Sequence, residues 1–166
     1  MKIIGVVGWK DTGKTTLIEK LIKEFNLRNL MVSTIKHSHH NVSLDRQGKD
    51  SFRHFNAGAK ETILASDTTR IKFSKTISGH ETCVDYLIKQ IIPVDIVIVE
   101  GFKVSGHRKV EVVNNISQRK PLYETDKTIC GLIFNQHKIE NAELPQFEKD
   151  NIEKICDFML KTLEGE

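Results

Sequence analysis

Eight consecutive residues, Gly8-Trp9-Lys10-Asp11-Thr12-Gly13-Lys14-Thr15, satisfy the pattern G-x-x-x-x-G-K-[ST] at every position. Their flanks restrict the fold further. Ile3-Ile4-Gly5-Val6-Val7 is a short β-branched run of the kind that makes a buried strand, and Thr16 to Phe25 spaces apolar residues at helical intervals. Strand, glycine loop and helix in that order make a phosphate cradle, with backbone N–H groups from Lys10 to Thr15 pointing inward at the positive end of the helix dipole. Gly8 and Gly13 permit the turn and the close approach. Lys14 would reach the β- and γ-phosphates of a nucleotide, and the Thr15 hydroxyl would ligate Mg²⁺. The expected nucleotide-binding residues are Gly8, Lys10, Asp11, Thr12, Gly13, Lys14, Thr15 and Thr16.

The rest of the chain fits an α/β frame around that loop. Leu30 to Ile35 reads as a second strand, and Asp95-Ile96-Val97-Ile98-Val99-Glu100-Gly101 as a parallel central strand, apolar on both faces. Lys109 to Val113 and Thr128 to Phe134 are further strands. Thr62 to Ala65 and Arg70 to Phe73 suggest a small hairpin, expected at a sheet edge. Asp50 to Ala57 reads as a short helix stopped by Gly58. A Ser78-x-x-Glu81 capping box opens a helix ended by Pro93, and Phe147 to Leu163 closes the chain as an amphipathic helix. Alternating strands and helices predict a P-loop NTPase fold, with a mostly parallel sheet and helices on both faces. At 166 residues and without a linker, one domain spanning 1–166 is expected.

Composition narrows the partners. A net charge of +3, dispersed along the chain, argues against a nucleic-acid surface and for small acidic ligands. Cys83, Cys130 and Cys156 are isolated and odd in number, as expected of reduced thiols in the cytoplasm. No apolar run has the length of a membrane span, and no export signal is recognisable.

A phosphate cradle needs a second Mg²⁺ partner, usually an acid at a strand end. Asp95 and Glu100 flank the same strand, on the order of 16 Å apart at about 3.3 Å per residue. Ligands bind at the C-terminal ends of parallel strands, so Glu100 is the candidate and Asp95 starts the strand.

Four stretches taken together, Gly8 to Thr16, Ile35-Lys36-His37-Ser38-His39-His40, Gly48-Lys49-Asp50-Ser51 and Val99-Glu100-Gly101-Phe102-Lys103, resemble the molybdopterin-guanine dinucleotide biosynthesis adaptor family, MobB. The resemblance runs from Met1 to about Val113. It implies a dimeric, GTP-binding protein of the SIMIBI-like P-loop class that assists a guanylyltransferase in converting molybdopterin cofactor to its guanine dinucleotide form, with at most weak GTPase activity. Members of that class often place a lysine directly after the first loop glycine for contact across a dimer. Here Trp9 holds that place, so no such lysine is carried over. The base-reading pattern N-K-x-D is also incomplete: Asn135-Gln136-His137-Lys138 ends in a residue that cannot accept hydrogen bonds. GTP is implied by the resemblance rather than by readout residues.

Two features stay open at this level. His37, His39 and His40 follow the second strand and suit contacts to a phosphate, a pterin-type cofactor or a partner; a metal site completed by Asp45 or Asp50, or a solvated loop, are the other readings. Asp50 either orients water near a γ-phosphate, as a catalytic residue beside Glu100, or caps its helix. A small-molecule phosphotransferase and a metal-delivery GTPase are the alternative functions. The first lacks an evident acceptor base beyond Asp50, and the second lacks a dense histidine tract or C-x-x-C pair.

Overall fold

The structure is a computed structural model that describes residues 1–38, 48–76, 82–114 and 119–164. The chain divides into two compact units, Met1–His37 with Leu87–Glu166, and Ser38–Tyr86. In chain order the elements are β1 (Lys2–Val7), α1 (Lys14–Leu27), β2 (Val32–Lys36), α2 (Asp50–Asn56), β3 (Glu61–Ala65), β4 (Arg70–Ser74), α3 (Val84–Ile88), β5 (Ile96–Glu100), β6 (Lys109–Val113), a 3₁₀ helix (Leu122–Glu124), β7 (Ile129–Phe134), β8 (Gln146–Glu148) and α4 (Ile152–Thr162).

The first unit is built on a parallel six-stranded sheet of order β2-β5-β1-β6-β7-β8. Alternation along the strands sends side chains to opposite faces. Ile4 and Val6 of β1, Ile98 of β5 and Val112 of β6 meet Leu17, Leu21 and Phe25 of α1 and Ile155 and Met159 of α4, all essentially inaccessible to water. Burial of each such side chain stabilises the fold by roughly 1.5–3 kcal/mol. On the other face Val7, Val113, Leu132 and Phe134 pack with Leu122 and Tyr123 of the 3₁₀ helix and with Ile139 and Leu144. Gly131 lets α4 come close to β7: a Cβ there would lie 2.6 Å from the Phe158 ring.

The closing segment differs from the sequence expectation. Phe147 does not open a helix but lies in β8, where it pairs with Ile133, and α4 begins only at Ile152. Its ring still packs on Phe158, at 4.9 Å between centroids, so an apolar residue at 147 fits a short edge strand as well as a helix face. The helix before Pro93 is also shorter than its apolar spacing suggests, with Val84–Ile88 helical, turns through Ile91, and Ile92 66% exposed. Pro93 disfavours helical geometry at the residue before it. Ser78 and Glu81 lie outside the described residues.

The second unit holds α2 and the antiparallel pair β3–β4; the hairpin forms where expected, but as a sheet of its own rather than at the edge of the larger one, because neither strand pairs with it. The Thr69 N–H donates to Ser66 Oγ at 3.1 Å, and the Ser66 N–H donates to the Thr69 carbonyl at 2.8 Å, closing the turn. Gly58, at φ 118°, follows α2 as the stop signal requires.

Candidate functional site

The loop between β1 and α1 has the conformation its glycines call for. Gly8 is at φ 146° and Gly13, the residue capping α1, is left-handed at φ 81°, as is Asp11 at φ 63°. A Cβ on Gly8 would lie 2.5 Å from the Val112 carbonyl oxygen of β6, so only glycine fits that crossing. Thr12 is buried, and its hydroxyl donates to the Trp9 carbonyl at 3.0 Å. Its side chain therefore braces the loop, which leaves its backbone as the part available to an anion. Lys10, Asp11, Thr15 and Thr16 are exposed.

Lys14 Nζ donates to the same Trp9 carbonyl at 2.6 Å, which curls the ammonium back over the loop. Burial lowers its pKa, opposed chiefly by the Glu100 carboxylate. α1 has no acid in its first turn and no side-chain cap, so nothing on the helix itself offsets the positive end of its dipole.

Three strand ends meet here. Glu100 closes β5, in register with Val6 of β1 on one side and Lys36 of β2 on the other. Its carboxylate accepts from the Thr15 hydroxyl at 3.4 Å and pairs with Lys36 Nζ at 3.1 Å. Two hard oxygen donors this close suit Mg²⁺, which takes oxygen ligands. Asp95 lies at the far end of β5, where its carboxylate accepts the Met31 N–H at 2.7 Å. The strand-direction argument thus places the two acids as the structure does.

After β5, Gly101 (φ 87°) and Phe102 (φ 50°) are both left-handed, an unfavourable state for an aromatic residue. The turn brings Lys103 Nζ within 4.0 Å of the Trp9 ring centre, with the Arg119 guanidinium 4.8 Å from the same centre. The Trp9 indole N–H donates to the Lys120 carbonyl at 2.9 Å. Lys103 ends the Val99 to Lys103 stretch and Arg119 belongs to no motif, and no spacing rule ties either to Trp9. The His37 ring tilts against Phe102 at 4.8 Å, and its backbone N–H donates to the Glu100 carbonyl at 3.0 Å.

Glu111 of β6 is a further acid that the motifs did not single out. Only 1% exposed, it accepts the Leu122 and Tyr123 N–H groups at 2.8 and 2.9 Å and so fixes the start of the 3₁₀ helix. Burial raises its pKa against those two bonds. Beside it a cleft of about 100 Å³ opens between Trp9, Thr12, Asn114, Arg119 and Ile139.

The remaining candidates are placed less fully. His39, His40 and Asp45 lie outside the described residues. Asp50, in the second unit, is the first residue of α2 and pairs with Arg53 at 3.8 Å; Lys49 is the capping residue, which corrects the reading of Asp50 as the cap. Asn135 and Lys138 are exposed after β7. Among the described residues no three His, Cys, Asp or Glu side chains gather into a metal-holding group, and no helix is long and apolar enough to cross a membrane.

A parallel sheet carrying a glycine loop between its central strand and first helix, with a carboxylate at the adjoining strand end, defines an α/β protein of the P-loop NTPase type. The family model described as "Molybdopterin guanine dinucleotide synthesis protein B" matches residues 3–135, and the chain belongs to that MobB family. It is 36% identical over 159 residues to the molybdopterin-guanine dinucleotide biosynthesis adapter protein of Haemophilus influenzae, covering 95% of this chain and 86% of that one. To the Escherichia coli K12 adapter protein it is 27% identical, covering 98% and 93%. The crystal structure of Bacillus subtilis MobB superposes with a TM-score of 0.77 at 27% identity over the whole of both chains.

Proposed function

We propose that this chain is a GTP-binding adapter in molybdenum cofactor biosynthesis, assisting the guanylyltransferase that makes molybdopterin guanine dinucleotide, as a cytoplasmic homodimer with at most weak GTPase activity. The observation that carries the nucleotide part is the approach of Thr15 to Glu100 beside a cradle with no acid in its first helical turn. The adapter part rests on family membership and on the relatives' names.

In this reading the loop amides hold the phosphates. Lys14 exchanges its bond to the Trp9 carbonyl for a β- or γ-phosphate oxygen, a stronger charge-assisted partner. Thr15 and Glu100 would hold Mg²⁺, which would offset phosphate charge when bound. Lys36, paired with Glu100 at 3.1 Å, holds the carboxylate in orientation. His37, with His39 and His40, is assigned to the cofactor or the partner enzyme.

Calorimetric titration of GTP, GDP and ATP with Mg²⁺ into the wild type and Lys14→Ala tests the nucleotide reading. The variant should lose about 2–4 kcal/mol of binding with its melting temperature retained. Unchanged GTP affinity would sink this reading, and stronger binding of ATP would sink the assignment to GTP. Failure of the purified protein to raise guanine dinucleotide formation by the guanylyltransferase would remove the adapter role.

A further inference from the structure

The ammonium of Lys149 occupies the place where a Cβ on Gly13 would stand. Lys149 follows β8 directly, and its backbone N–H is anchored to the Phe134 carbonyl at the end of β7, 2.8 Å away. The last two strands thus deliver a cation onto the residue that caps α1. Electrostatically this is an unfavourable address, since a helix N-terminus repels cations and Lys14 stands beside it. Asp150, the next residue, feels the Lys149 charge, but its carboxylate pairs with Lys20 at 2.6 Å. Asp11 is a further acid acting on Lys14. Two lysines and a helix dipole converging on one loop form a site for a polyanion.

The order of the strands says which part of that anion Lys149 meets. Thr15, Glu100 and Lys36 gather on the β5 and β2 side of β1, so the Mg²⁺-binding end of a nucleotide belongs there. Lys149 arrives from the β7 and β8 side, opposite to it. A nucleotide laid across the strand ends must therefore point its nucleoside end toward Lys149.

We infer that Lys149 is a second nucleotide-binding cation, contacting the α-phosphate and ribose portion that nucleoside di- and triphosphates share. This rests on the nucleotide-binding reading of the loop. Gly13 then has two reasons to be glycine: its left-handed backbone and the space it leaves for the Lys149 side chain.

The experiment titrates GTP and GDP into the wild type, Lys149→Gln, Lys149→Arg and Lys14→Ala at two salt concentrations, with the thermal midpoint of each recorded. Lys149→Gln should lower affinity for GTP and GDP by the same factor, about ten-fold, as expected for one charge-assisted contact. Its affinity should also vary less with salt, and Lys149→Arg should restore most of the loss. A merely structural lysine would move the midpoint and leave the salt dependence alone, which overturns the inference. Unchanged affinity in Lys149→Gln, with binding abolished in Lys14→Ala, overturns it while leaving the nucleotide reading standing. A loss confined to GTP also overturns it, because the contact would then lie at the γ-phosphate end. Unchanged binding in Lys14→Ala removes the nucleotide reading itself.

Discussion

Glu100 and Glu111 stand on the two strands that flank β1, paired with its successive residues Val6 and Val7, yet their surroundings set them to different work. Glu111 is sealed and accepts two backbone N–H groups. Glu100 ends its strand, with a side chain 15% exposed, and its neighbours are an exchangeable hydroxyl and a lysine. A carboxylate whose lone pairs are taken by the backbone holds a fold together, whereas one facing a hydroxyl at a strand end has capacity left for a ligand. Lys109, two residues before Glu111, repeats the sealed pattern. Fully buried, it donates to the Ser105 carbonyl, Asp126 and Thr128.

The sharpest way to break this contrast is to remove each carboxylate. Glu111→Ala leaves two buried N–H groups without acceptors and should cost about 3 kcal/mol of stability, whereas Glu100→Ala should cost less than about 1 kcal/mol. Urea unfolding of the two variants measures this, and comparable losses would erase the distinction.

The second test reverses the readout. Glu100→Gln should weaken Mg²⁺-dependent GTP binding about ten-fold, while Asp95→Asn, altered at the far end of the same strand, should leave it unchanged. A defect in the Asp95 variant instead would place the phosphates at the wrong end of the sheet. Glu111→Gln should bind as the wild type does wherever it remains folded.

A smaller effect lies in pH. Burial raises the folded pKa of Glu111 above its ordinary value. Stability from its protonation is then fully present below about pH 4.3, the usual glutamate value, and is lost as pH rises through the raised folded value. Subtracting the unfolding free energy of Glu111→Gln from that of the wild type across pH 4 to 7 should give a difference that falls with rising pH. A difference that rises would mean that the two backbone bonds outweigh burial.

The smallest expected change concerns the histidines. With His37, His39 and His40 all changed to Ala, GTP affinity should stay within about two-fold of the wild type, because the loop amides, Lys14 and Mg²⁺ already meet most of the triphosphate charge. Guanine dinucleotide formation should fall. Lost affinity with formation intact would move these residues into the nucleotide site.

Much of this was legible in the chain itself. A full motif match fixes local backbone, since Gly8 and Gly13 sit where other residues would clash or strain, and β-branched runs such as Ile96 to Val99 are strands by composition alone. Strand direction then separated Glu100 from Asp95 without coordinates. What the sequence left undecided is whatever depends on which distant segment arrives where. Phe147 is apolar in either a strand or a helix, and only pairing of β8 with β7 made it a strand. Glu111 is one acid inside an apolar run, and its role exists only because the 3₁₀ helix returns to it. Trp9 gains Lys103 and Arg119, and Gly13 gains Lys149, across separations that no local period spans. Short-range sterics and patterning are written residue by residue, whereas the partners of a buried charge or an exposed ring are set by sheet order, a property of the whole chain.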